Sequence, residues 1–401
     1  MKTQDYIELE NRYGAHNYHP LDVVISKADG VWVEDVDGKK YMDFLAAYSA
    51  VNQGHCHPRI YKAMAEQAKR VTLTSRAFRN DQLGRFYEKV NEITGLEMVL
   101  PMNTGAEAVE TAIKASRKWG EKVKNVPASQ SEIIVCDNNF HGRTTTIISF
   151  ATEQQYREGF GPYTPGFKSI PFGDADALAD AVSANTVAFL VEPIQGEGGI
   201  IIPEDGFLKK AQDICHKNNI LLITDEIQSG LGRTGKMFAY QHEDGVQPDG
   251  IIMGKALSGG FYPVSAVASR KELLGVFKPG DHGSTFGGNP LAAAVAVEAL
   301  NVLQDENLVE KSAELGSSFH SRLNTIKSDY IKEIRGRGLW YGIELHPRAG
   351  RARKFTEELK NRGLLCKGTH EHTLRLAPPL IIQKDELDWA FDRIESVLST
   401  Q

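Results

Sequence analysis

The stretch from 221 to 260, LLITDEIQSGLGRTGKMFAYQHEDGVQPDGIIMGKALSGG, decides how the chain is read. Asp225 follows the apolar run Ile220–Ile223 and sits where a buried strand would end. Lys255 follows a second run, Ile251–Met253, in a window with no other charge from Ile251 to Ala268. A bare ammonium among apolar neighbours is costly. Such a lysine snorkels to water, is paired, has a lowered pKa, or is bonded to something.

The same stretch contains Gly230-Leu-Gly232-Arg-Thr-Gly235, which satisfies G-x-G-x-x-G, and Gly230 to Lys236 comes close to a P-loop. The P-loop fails at Met237, which offers no hydroxyl to a magnesium ion. A dinucleotide loop needs a strand directly before its first glycine and a helix after its last. Asp225-Glu-Ile-Gln-Ser intervenes instead, and no clear helical pattern follows. Both nucleotide readings are set aside.

The sharper reading joins Lys255 to Asp225. Pyridoxal phosphate needs one amine to carry it and one carboxylate to keep its ring nitrogen protonated, so that the ring is a strong electron sink. An apolar strand, then D-E-x-Q, a Gly-Arg-Thr-Gly loop and G-K-A-L-S-G-G together resemble the signature of the class III aminotransferases. The match is long and ordered. It implies a fold-type I pyridoxal-phosphate-dependent transferase, with Lys255 and Asp225 as catalytic residues and Gln228 beside the ring oxygen.

Outward from this stretch, Glu132–Cys136 and Val187–Val191 read as buried strands and Phe207–Asn218 as a helix. The alternation through residues 98–268 predicts an α/β fold, a mostly parallel sheet with helices on both faces. Ligands then gather at the carboxyl ends of the strands. Asp225, Phe140 and Glu197 all fall just past such ends. Ala108, Ala112, Ala115 and Trp119 share one helical face, so Thr104-Gly105-Ala106 is a strand-to-helix turn. Its free N–H groups make either a plain helix start or an anion site; the resemblance favours a phosphate cup.

Three regions are expected: an N-terminal arm (1–48), a large domain (49–304) and a smaller C-terminal α/β domain (305–401). The arm holds a hairpin, Val31–Phe44, turning at Asp37-Gly38. Asn289 and Pro290 start a helix running to about Gln304. Arg348 to Lys354 reads as a solvated helix face.

Among 401 residues, 41% are hydrophobic and 24% charged, which is ordinary for a globular chain long enough to bury a large core. The net charge of −6 argues against nucleic acid as a main partner. The four cysteines are scattered, without C-x-x-C, as suits reduced thiols. His55-Cys56-His57 is a poor metal site, because adjacent residues cannot easily face one ion, and no metal is expected. No apolar run reaches membrane-spanning length. The N-terminus has acids and no apolar core, so a cytoplasmic protein is expected.

The resemblance spans nearly the whole chain and implies further roles. Phe140 stacks on the cofactor ring. Thr285 reaches the phosphate of the neighbouring subunit, which implies a homodimer. Within the family the chain most resembles the branch that moves the δ-amino group of ornithine to 2-oxoglutarate, yielding glutamate 5-semialdehyde and glutamate. In that branch Arg143 binds the far carboxylate and Arg375 the near carboxylate of glutamate. Glu197 neutralises Arg375 when ornithine is bound. Tyr18 contacts the α-amino group and Tyr48 shapes the pocket. Acetylornithine and 4-aminobutyrate enzymes are the nearest alternatives. A cofactor-binding regulator or inactive paralogue is a third, disfavoured because Lys255, Asp225 and Arg143 are all present.

Overall fold

The computed structural model describes residues 1–400. A helix, Thr3–Tyr13, opens the chain and buries none of its side chains. Three strands follow: β1 (Ile25–Asp29), β2 (Trp32–Asp35) and β3 (Lys40–Asp43). The turn at Gly38, with φ 87°, sets the antiparallel β2–β3 hairpin expected from Asp37-Gly38.

The central sheet has seven strands. They are β4 (Met98–Met102), β5 (Glu132–Cys136), β6 (Phe167–Ile170), β7 (Thr186–Val191), β8 (Leu221–Asp225), β9 (Gly250–Met253) and β10 (Ser265–Ser269). Their order is β4-β10-β9-β8-β7-β5-β6. Every pairing from β9 to β6 is parallel, and β10 runs antiparallel to both of its neighbours. All residues of β7 and β8 are buried, which is why they read as unbroken apolar runs rather than alternating ones. Successive side chains still go to opposite faces. Ile133 and Val135 join the core under the helix Gly105–Lys122, while Ile134 and Cys136 join the core on the other side. Helices Phe207–Lys217 and Pro290–Asp305 contribute to that second core.

The C-terminal third adds β11 (Ile331–Gly336), β12 (Tyr341–Leu345), β13 (Leu364–Leu365), β14 (Lys367–Thr369) and β15 (Thr373–Leu376). Four of them form a sheet of order β11-β12-β15-β14. The fifth, β13, pairs in parallel with β3, so residues 25–43 share a sheet with the C-terminal third.

Arg233, within the glycine-rich loop that mimics a nucleotide motif, joins the parts together. It is fully buried, donating to the carbonyls of Leu339 at 2.8 Å and Pro378 at 2.7 Å and to Asn52 Oδ1 at 2.5 Å. Gly235, at φ 84°, lies against the helix Leu308–Leu323; a Cβ there would stand 2.9 Å from Ala313. The loop is a structural junction.

The basic run Arg348–Lys354 departs in part from a solvated face. Arg351 is exposed, but Arg353 reaches back to donate to the carbonyls of His19 at 3.1 Å and Pro20 at 2.9 Å. The expected helix there spans Ala352–Asn361. His55 and His57 serve carboxylates, His55 facing Asp43 at 2.8 Å and His57 facing Glu306 at 3.1 Å.

Candidate active site

β4 runs in the same direction as β9, because both are antiparallel to β10. The carboxyl ends of β4, β5, β7, β8 and β9 therefore meet at one edge of the sheet. A cavity of about 140 Å³ opens there, lined by Gly105, Phe140, Glu192, Asp225, Gln228 and Lys255, among others.

Asp225 ends β8 and is buried. Its Oδ1 accepts the Ile227 N–H at 3.0 Å, and its Oδ2 lies 2.6 Å from Nδ1 of His141. Lys255 follows β9 and has a φ of 43°, in the left-handed region that a residue with a Cβ enters only under constraint. Burial pushes its ammonium pKa down, partly opposed by Glu197 and Asp225.

Thr104 caps the helix Gly105–Lys122: its hydroxyl accepts the Glu107 N–H at 3.2 Å, while Glu107 Oε2 takes the Thr104 N–H at 2.8 Å. The N–H groups of Gly105 and Ala106 belong to the free first turn, where the helix dipole favours an anion. Gly105 packs closely on Ile227, where a Cβ would come within 3.0 Å of Ile227 Cδ1. Amine, carboxylate, aromatic ring and anion-binding turn thus surround one small cavity, a donor set that fits pyridoxal phosphate.

A wider cavity of about 470 Å³ adjoins the arm and holds Tyr18, Tyr48 and Lys367. Beside it, Arg375 on β15 donates to Glu197 Oε1 at 2.5 Å, and its guanidinium lies 5.1 Å from the Tyr48 ring centroid. Arg375 is 1% exposed and Glu197 22%, so the pair is largely dry. Burial alone would raise the Glu197 pKa; the charge and hydrogen bond of Arg375 outweigh it and hold the carboxyl below its ordinary range. Arg143 is exposed, its guanidinium 3.8 Å from the Tyr156 ring centroid and 5.5 Å from that of Phe140. Tyr18 is 73% exposed in this single chain. Thr285 is also exposed and does not line the small cavity.

The model of the class III aminotransferase family matches residues 13–398. The chain belongs to the class III aminotransferases. An ornithine aminotransferase from Brevibacillus brevis is 63% identical over 397 residues, 99% of this chain and 98% of that protein. The crystal structure of the ornithine aminotransferase from Toxoplasma gondii superposes with a TM-score of 0.97 at 46% identity, covering 99% of this chain and 95% of that one. An acetylornithine aminotransferase from Elizabethkingia anophelis superposes with a TM-score of 0.90 at 48% identity, covering 99% of each chain. The aminotransferase fold accounts for the mixed sheet and for the position of the cavity at its carboxyl edge.

Three site residues carry no signal of their own in the sequence. His141 follows Phe140 and faces Asp225, 84 residues away. Burial opposes its charged form, but the Asp225 carboxylate outweighs burial and raises its pKa. Glu192 accepts the Phe140 N–H at 2.8 Å and the Gly196 N–H at 3.2 Å. Burial pushes the Glu192 carboxyl up to about 7. Lys367 donates to the Tyr48 hydroxyl at 2.7 Å. Ser229 donates to Glu226 Oε2 at 2.6 Å.

Proposed function

We propose that this aminotransferase moves the δ-amino group of L-ornithine to 2-oxoglutarate, giving glutamate 5-semialdehyde and glutamate, with pyridoxal 5′-phosphate as cofactor. The observation that carries this reading is the dry Glu197–Arg375 pair beside the cofactor cavity. Ornithine reacts at its δ-carbon and brings no carboxylate near the ring. Glutamate reacts at its α-carbon and brings one near and one far. A near-side arginine is needed for glutamate and is a liability for ornithine, unless an internal carboxylate covers it. Glu197 is that carboxylate, and it yields to the substrate carboxylate when glutamate arrives.

The remaining roles follow. Lys255 carries the cofactor, Asp225 faces its ring nitrogen and Gln228 its ring oxygen, and Phe140 covers the ring. Thr104, Gly105 and Ala106 hold the phosphate, completed by Thr285 of the neighbouring subunit in a homodimer. The exposure of Thr285 in the single chain suits that role. When bound, the cofactor supplies an electron sink for charge developing at the reacting carbon. Lys255 Nζ takes a proton from that carbon, and burial, which lowers its pKa, favours the neutral amine that can act as base. Arg143 binds the far carboxylate of either substrate, Tyr18 the α-amino group of ornithine, and Tyr48 shapes the wall between them. We read residues 1–48 as an arm, 49–304 as the cofactor domain and 305–401 as the small domain of a cytoplasmic enzyme. No helix among the described residues is long and apolar enough to cross a membrane.

The likeness to an acetylornithine enzyme keeps N-acetylornithine as the rival substrate. The test is turnover of L-ornithine against N-acetylornithine and 4-aminobutyrate, each with 2-oxoglutarate. Ornithine is expected to have the highest kcat/KM; a higher value for N-acetylornithine would overturn the assignment.

A further inference from the structure

Tyr48 is held by two unrelated constraints. The first is its backbone. Ala46, Ala47, Tyr48 and Ser49 have φ values of 47°, 46°, 61° and 70°, four successive non-glycine residues in the left-handed region. Each such residue is unfavourable on its own. The turn is pinned from below by Asp43, whose Oδ1 accepts the N–H groups of Leu45 at 2.8 Å and Ala46 at 3.0 Å. The second constraint is Lys367, whose Nζ donates to the Tyr48 hydroxyl oxygen at 2.7 Å across 319 residues of sequence.

The Lys367 contact has a chemical consequence. An ammonium has three donors and no acceptor, so the phenol oxygen can only accept from it. The hydroxyl proton of Tyr48 is thereby directed away from Lys367. Among the described residues no hydrogen-bond acceptor for that proton is found within reach. Tyr48, Tyr18 and Lys367 together line the wide cavity.

The position of Lys367 is also set from a second side. It stands opposite Arg375 in the antiparallel β14–β15 pair. Directly opposed residues project to the same face of a sheet. Both cations therefore point toward the same side of the pocket, and Glu197 is close enough to feel both charges.

We propose that Lys367 is a positioning residue for substrate selection. It fixes the Tyr48 hydroxyl as a donor aimed at the carboxylate that ornithine and glutamate both carry remote from the reacting amine. The inference rests on the ornithine reading for one of its two substrates and is independent of it for glutamate.

The test uses purified holoenzyme and the variants Lys367→Met, Lys367→Arg, Tyr48→Phe and the double variant Lys367→Met/Tyr48→Phe. Loss of one charge-assisted hydrogen bond corresponds to about a tenfold change in affinity. Lys367→Met is therefore expected to raise KM for both L-ornithine and L-glutamate about tenfold, with kcat changed less than about threefold. Lys367→Arg should recover most of the lost affinity. In the Tyr48→Phe background, Lys367→Met should add less than about twofold, because the two residues act through one hydroxyl. A Lys367→Met variant with unchanged KM for glutamate would overturn the proposal. So would an equal effect in the Tyr48→Phe background, or a fall in kcat alone. Failure of the unmodified enzyme to turn over ornithine would sink the ornithine reading and leave the Lys367 outcome to be read on glutamate.

Discussion

Arg375 and Glu197 stand 178 residues apart in the chain and meet at 2.5 Å, Arg375 1% exposed and Glu197 22%. Removing Glu197 leaves a cation without its internal partner in a dry site. Truncating one member of such a pair costs about 2–5 kcal/mol, mostly from the charge left behind. Glu197→Ala is therefore expected to slow the ornithine half-reaction about 30-fold or more while sparing or accelerating the glutamate half-reaction. Stopped-flow spectra of each half-reaction measure the ratio. An unaltered ratio means Glu197 is not the switch.

Stability in acid tests the same pair by a different route. Glu197 has a folded pKa below its unfolded value, so its contribution is present above the unfolded value, about 4.3. That contribution is lost as pH falls through the depressed folded value. Glu197→Gln should remove this part of the acid unfolding limb. Urea midpoints from pH 3 to pH 7 in wild type and variant should converge at the acid end.

Lys255→Ala should lose turnover by at least about three orders of magnitude, since the proposed role of Lys255 is both covalent anchor and base. Borohydride reduction of the wild-type holoenzyme should give a lysine-linked adduct at Lys255 by peptide mapping. A variant that retains near-normal turnover would require a different anchor.

His141→Asn probes the partner of Asp225. The folded pKa of His141 lies above its unfolded value, so its stabilisation is fully present below about pH 6.5 and fades as pH rises through the raised value. The stability gap between wild type and variant should be larger at pH 6 than at pH 9 in urea unfolding. A gap that widens with pH would reverse the assignment of charge to this ring. With Asp225 facing the ring nitrogen as proposed, the visible spectrum of bound cofactor should also shift, because that carboxylate has lost a hydrogen bond.

Arg233→Ala should destabilise the chain by about 3 kcal/mol or more, because three buried acceptors lose their donor together. Burial lowers the Arg233 pKa to about 9, yet no single carboxylate neutralises it, so the cost comes from unmade bonds. Thermal unfolding checks this. Arg233→Lys, with a point charge in place of a fork, should recover only part of the loss.

Much of the cofactor end was legible along the chain. Asp225 and Lys255 follow apolar runs, and the strands that carry them are buried on both faces, so a polar residue at a strand end stands out. Phe140 also falls just past a strand end, and the Thr104 turn is marked by the helical spacing of Ala108, Ala112, Ala115 and Trp119. The substrate end was harder. Lys367 sits between Cys366 and Gly368 with no local mark, and its meaning depends on Tyr48, hundreds of residues earlier. Glu192 reads as the end of an apolar strand, and its two backbone donors appear only once the chain folds over it. The helix Thr3–Tyr13 buries nothing, so no core-facing stripe announced it.

The strand opposition of Lys367 and Arg375 has a mechanical corollary. Two cations fixed to neighbouring backbones travel as one piece, so the interval between them is insensitive to hinge motion. Their reach to Lys255 is instead set by the seam between separate sheets, where Arg233 is bolted. Preference for longer or shorter amino acids can therefore be retuned by small changes at that seam, without rebuilding either end of the pocket.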